Sequence, residues 1–232
     1  MTASRLQKPL RHQYVRQPVP IFFPSDEEVP ESALHLRLRT ALFLILERRL
    51  RGRAYVGSDQ FVYWDSTNPK LCLAPDAFVR LGGPDELLPS YQTWRHGAPE
   101  VAVEIISASD GGPRELERRL ERYRQCAVEE LVYFDPEDRK RPLRLWDWLE
   151  SDLVERELTA PNARYCDKLE AYWCLHQDPR LGVMLRLADG ADGSGLWPTP
   201  EEAEIELRNS EREAAARRIA ELEAELRRRG PA

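Results

Sequence analysis

Apolar and polar positions along the 232 residues fall into blocks of different period, and each block predicts an element. Leu34, Leu38, Ala41, Leu42, Ile45 and Leu46 recur at spacings of three and four, which predicts a helix with one apolar stripe. Ser32 stands at its N-cap position, and the helix should end near Gly52. Residues 53–64, rich in Val, Tyr and Phe, read as a long strand or hairpin, followed by turn chemistry at 66–69. Pro75-Asp76 opens a short strand over 77–81, which Gly82-Gly83-Pro84 stops. A second strand over 100–106 places Val101, Val103 and Ile105 on one face and Ala102, Glu104 and Ile106 on the other. Glu104 is thus a single carboxylate on a strand that reads as buried on both sides.

Beyond a loop at 107–113, Leu116, Leu120 and Tyr123 mark one face of a short helix, and residues 130–135 form the next strand. Two strand-like runs within 143–158 predict an antiparallel pair added to the sheet edge, and the Gly/Asp/Ser-rich stretch 189–195 reads as a loop. The order predicts an α/β domain over residues 31–200, a mixed sheet flanked by helices. Residues 1–30 carry five prolines and no period, and predict an extended arm. Residues 201–229 contain no Gly or Pro, and Ala215, Ile219, Leu222 and Leu226 form a seam of about two heptads. A helical, coiled-coil-like tail over 201–232 follows, either pairing two chains as a homodimer or standing as a lone solvated helix.

Charge narrows the functional classes. The formal net charge is −6, with 40 Asp+Glu against 34 Lys+Arg, and only Lys8, Lys70, Lys140 and Lys168 are lysines, leaving 30 arginines. Such a balance excludes a general polycationic coat; any nucleic-acid contact must use a local basic groove. Four cysteines without a CxxC pair suit a reducing, cytoplasmic setting. The longest apolar run, residues 41–46, is far short of the roughly 20 residues of a membrane span, so no membrane partner is expected. No nucleophile elbow, Walker loop or dinucleotide fingerprint is present.

The chemistry worth weighing is Asp76 with Glu104. Carboxylates among apolar residues are costly unless paired, protonated or bound to a cation. On neighbouring strands, together with a carbonyl such as that of Ile105, they would offer hard oxygen ligands for Mg²⁺. The alternative is that Asp76 caps the turn after Pro75 and Glu104 pairs with an arginine. Between the two strands Tyr91, Trp94, Arg95 and His96 interleave aromatic and basic groups, either meeting nucleic acid or forming a surface loop around a buried Trp94.

Pro75-Asp76 on one strand and Val103-Glu104-Ile105-Ile106-Ser107 on the next resemble the PD-(D/E)xK nuclease superfamily. Residues 56–64, 73–82, 102–107, Arg122-Tyr123 with Glu130-Leu131-Val132, and Pro198-Thr199-Pro200-Glu201 resemble the Uma-two family of restriction endonuclease-like proteins, a large bacterial group. The resemblance spans residues 28–226. It implies a restriction-endonuclease-like fold and a Mg²⁺- or Mn²⁺-dependent endonuclease acting on DNA, with Asp76 and Glu104 as metal ligands. The family's lysine, one helical turn before the Tyr, falls on Arg119, and no lysine lies between Lys70 and Lys140. An arginine there would stabilise transition-state charge but could not serve as a base. The rival expectation is a nuclease-fold protein that has lost catalysis and binds nucleic acid or a protein partner. Glu31 and His35 also resemble family positions; Glu31 would add a carboxylate to the metal shell, while His35, beside the Leu38/Leu42 stripe, reads as structural.

Overall fold

Ser32 accepts the backbone N–H of His35 at 3.1 Å and so caps helix α1 (Ala33–Leu50), as its position predicts. The computed structural model describes residues 32–229 except 85, 108–111 and 161. The expected arm at 1–30, Glu31, and most of the 107–113 loop lie outside the described residues. In chain order α1 is followed by β1 (Ala54–Gly57), β2 (Val62–Tyr63), β3 (Cys72–Leu73), β4 (Ala77–Leu81) and β5 (Tyr91–Gln92). A single turn, α2 (Thr93–His96), leads to β6 (Val101–Ile105), α3 (Pro113–Cys126) and β7 (Glu130–Phe134). Then come β8 (Leu143–Leu149), β9 (Asp152–Glu155), β10 (Tyr165–Cys166), β11 (Ala171–Asp178), β12 (Gly182–Ala188) and α4 (Pro200–Arg229).

Six strands form a mixed sheet in the order β1-β4-β6-β7-β8-β9, parallel only between β6 and β7, which α3 connects. The β8–β9 pair lies at the edge, as the pattern predicts. Leu38, Leu42, Ile45, Leu46 and Leu50 of α1 cover one face through Val101, Val103 and Ile105. Tyr123 and Cys126 of α3 cover the other, with Ala102 and Leu131. The sheet β10-β11-β12 adds Trp173, Met184, Leu185 and Leu187 to the α1 side. The small sheet β3-β2-β5 adds Leu73, Val62 and Tyr91 to the α3 side.

Two expectations are corrected. Residues 53–64 are not one strand or hairpin: β1 and β2 belong to different sheets, because Asp59 between them adopts φ +49°, a left-handed turn that breaks extended backbone. Nor is Trp94 buried in a loop. It lies on α2 and is 45% exposed, while Tyr91 is the aromatic of this segment that enters the core, against Phe78 and Tyr55.

Charged residues lock the outer layers to the main sheet. Glu130, 4% exposed, accepts the Trp173 indole N–H at 2.6 Å and Arg156 Nη2 at 2.8 Å. Arg156 also donates to Asp147 Oδ2 at 2.7 Å and to the Tyr165 carbonyl at 2.8 Å, joining β7, β8 and β10. At the C-terminal side Thr199 and Glu202 form a capping box: Glu202 N–H donates to Thr199 Oγ1 at 3.2 Å, and Thr199 N–H to Glu202 Oε2 at 2.7 Å. Arg186 of β12, 1% exposed, donates to Glu202 Oε2 at 2.7 Å and to the Trp197 carbonyl at 2.6 Å. From Glu204 to Glu223 α4 is exposed, including Ile219 and Leu222. No helix among the described residues is long and apolar enough to cross a membrane.

Burial pushes the Glu130 carboxyl above its usual range, while Trp173 and Arg156 pull it back. Removing the guanidinium leaves that carboxylate uncompensated, so Arg156→Met should cost about 3–5 kcal/mol in urea unfolding at neutral pH. With the folded pKa raised, the variant's deficit relative to wild type is largest above the folded pKa. It shrinks as pH falls towards the unfolded value of about 4.3, where Glu130 is protonated in both states.

Candidate functional site

The site begins with a gap in the β4–β6 ladder. Ala77 faces Val103, and continuing that register sets Pro75 opposite Ile105. The Pro75 carbonyl, however, accepts the Asp59 N–H at 2.9 Å. The Ile105 N–H is taken instead by the Asp76 side chain, Oδ2, at 2.7 Å. Asp76, 9% exposed, is thus fixed at the start of β4 by the end of β6. Its other oxygen, Oδ1, lies 2.6 Å from His35 Nε2, and its carbonyl accepts the Ser58 hydroxyl at 2.7 Å. Arg39, one helical turn after His35, contacts Asp59 Oδ2 at 3.0 Å, with its Nε 4.0 Å from Asp76 Oδ1.

Glu104 stands one residue before Ile105 and turns to the α3 face. Arg119 Nη1 donates to its Oε2 at 2.9 Å, and the Tyr123 hydroxyl donates to Oε1. Leu116, Leu120 and Tyr123 pack on the sheet, and the same face delivers Arg119, as the helix pattern predicts. Tyr123 is 1% exposed; burial first, and the negative charge of Glu104 second, hold its phenol well above its ordinary pKa. It therefore acts as a neutral donor. Glu104, Arg119 and Tyr123 line a cleft of about 230 Å³ together with Leu73, Ala74, Glu115, Arg118 and Arg122.

The structure brings Asp76, Glu104 and Arg119 to adjoining strands and the helix over them. His35, which reads from the sequence as structural, directly contacts Asp76. The signal was its place in the first turn of α1 on the side of the buried stripe. Arg39, four residues on, shares that signal. Of the alternatives weighed for the carboxylates, Glu104 does pair with an arginine, whereas the Asp76 side chain meets the Ile105 N–H and His35 rather than capping the turn after Pro75.

Carboxylate oxygens are the hard donors Mg²⁺ takes, and a carboxylate has about four lone-pair sites in all. Among the described residues no cluster of three or more His, Cys, Asp or Glu is gathered for a metal. Mg²⁺ commonly uses one or two carboxylates with waters and substrate phosphate, so the donor set fits. A larger cavity of about 770 Å³ lies around Glu130, Asp147, Arg156 and Lys168. Its charges pair with one another, Arg156 with Glu130 and Asp147 and Lys168 with Glu129, as Arg119 pairs with Glu104 and Arg118 with Glu115 in the smaller cleft.

A family model described as "Putative restriction endonuclease", named Uma2, matches residues 22–144. No curated protein matches the chain. A crystal structure from Anabaena variabilis, titled as a putative nuclease, is similar over 66% of this chain and 75% of that one, at 12% identity and a TM-score of 0.41.

Tyr123→Phe removes a donor to a buried carboxylate. It should destabilise the protein by about 1.5–3 kcal/mol in urea unfolding.

Proposed function

The chain belongs to the Uma2 family of restriction endonuclease-like proteins, and from that premise we propose that it is a divalent-metal-dependent endonuclease hydrolysing DNA phosphodiester bonds. The observation that supports this reading best is the placement of two carboxylates on adjoining strands around one strand end. Asp76 is fastened to the Ile105 N–H, immediately beside Glu104, with Arg119 against the second carboxylate.

Asp76 and Glu104 would hold Mg²⁺ or Mn²⁺, a Lewis acid that polarises a phosphoryl oxygen and acidifies water. Within the protein, the Ile105 N–H and His35 keep the Asp76 carboxylate oriented, and Tyr123 keeps Glu104 turned into the cleft. Arg119 brings fixed positive charge to where phosphorane-like negative charge develops. A guanidinium stays protonated, so the proton lost by the attacking water must pass to a group other than Arg119.

One observation favours a second reading. Arg119 and Tyr123 together engage both oxygens of Glu104, so its charge is compensated inside the protein. A chain in which that pairing persists would bind nucleic acid or a protein partner without cutting.

Cleavage of plasmid and single-stranded DNA in Mg²⁺ or Mn²⁺ separates the readings. Wild type should cut, Asp76→Ala and Glu104→Ala should not, and Arg119→Ala should lose about 10²–10³-fold in kcat. His35→Ala should weaken cation binding about 10–100-fold as a partner of a ligand. Cleavage that survives Asp76→Ala rules out the assigned site; an inactive wild type beside an active Arg119→Lys establishes the disarmed reading.

We propose further that two chains pair through the exposed seam of α4. Sedimentation should then show a dimer for wild type and a monomer for the double substitution Ile219→Glu, Leu222→Glu. Identical sedimentation would dismiss pairing.

A further inference from the structure

We propose that the outer face of the small sheet, carrying Phe61 and Tyr63, holds unpaired bases of a DNA strand whose backbone runs into the cleft beside Glu104. This rests on the nuclease reading and sharpens it: the preferred substrate is single-stranded or locally opened DNA.

The alternation of β2 sets up the surface. Val62 is fully buried, so Phe61 and Tyr63 turn the other way. Phe61 is 56% exposed, and its ring centroid lies 6.0 Å from that of Tyr63. Across one strand spacing, about 4.8 Å, Tyr63 faces Cys72 on β3. The Cys72 carbonyl accepts a hydrogen bond from Arg122, which lines the Glu104 cleft with Arg118. Leu73 of β3 and Ala74 just after it line that same cleft. The aromatic face and the basic wall are therefore continuous over the edge of β3. Lys70, exposed in the turn between β2 and β3, adds a positive charge to the small sheet's connection.

Aromatic rings beside a basic groove are what a single strand uses, since every unpaired base offers a π-face and every phosphate a charge. A closed duplex shows its phosphates but keeps its base faces stacked, so it can use the arginines and not the rings. The charge complementarity and the continuity with the cleft select the strand over an apolar protein partner. The net charge of −6 does not oppose this, because the contact is confined to α3 and the edge of the small sheet.

Fluorescence anisotropy in EDTA, with a short labelled oligonucleotide and the duplex of the same sequence, tests the proposal without cleavage. Wild type should bind the single strand more tightly than the duplex. Phe61→Ala should weaken single-strand binding about 5- to 150-fold, the worth of one stacked base, and leave duplex binding unchanged. Phe61→Trp should preserve or tighten it. Because Phe61 is exposed, both variants should melt with wild type by circular dichroism. Single-strand affinity unmoved by Phe61→Ala, or a duplex bound at least as tightly by wild type, overturns the base-stacking face and leaves the nuclease reading intact. Failure to bind the single strand likewise overturns the base-stacking face, while the nuclease reading stands or falls on the cleavage assay with metal.

Discussion

An unpaired backbone N–H at the end of a buried strand is costly, and the arrangement of the site follows from how this one is satisfied. The Ile105 N–H has lost its ladder partner, because the Pro75 carbonyl is held by Asp59. The side chain of Asp76 replaces that carbonyl. A carboxylate is thereby fixed at the end of an apolar sheet, with its second oxygen against His35. Because Glu104 adjoins Ile105 on the same strand, the bond that anchors one carboxylate also fixes where the other stands. The departure of the chain at Asp59, in a left-handed turn, is part of the same device.

Charge compensation is distributed in the same way through the rest of the molecule. Glu104 leans on Arg119 and Tyr123, Glu130 on Arg156 and Trp173, and Arg186 on Glu202. In each case an ion at least partly buried is held by a partner of complementary charge from another element, with a Tyr or Trp ring adding a donor to each of the two glutamates. Such pairs contribute less to stability than apolar packing would, but leaving one half alone is expensive, so they fix which layer packs on which. The Arg-rich composition serves this purpose as directly as it serves any contact with phosphate, since a guanidinium presents several donors in one plane.

What the chain spells out in advance is what periodicity can carry. The α1 stripe, the two faces of β6, the edge pair β8–β9 and the α3 face with Arg119 and Tyr123 are legible because each is a repeat of apolar positions. The strands β2, β3 and β5 have two residues each, too few for a period, so the small sheet is not. The hairpin β11–β12 did leave a signal, Ala171 and Trp173 alternating inward and a turn closing at Gly182 with φ +75°, though flanking polar residues blur it. The contact of His35 with Asp76 joins residues 41 apart in sequence, and no local pattern records where a helix start will meet a strand start. Carboxylates could be singled out by their apolar neighbours; their partners depend on the tertiary path.

The lock between Arg186 and the first turn of α4 has a mechanical consequence. Because the domain grips Glu202, the boundary between globule and rod falls inside the helix, one turn after it begins. A 30-residue helix measures about 45 Å, and one clamped at its root behaves as a cantilever. Whatever holds its free end therefore sets the domain on a rigid radius, so that the cleft is presented at a fixed reach rather than on a tether.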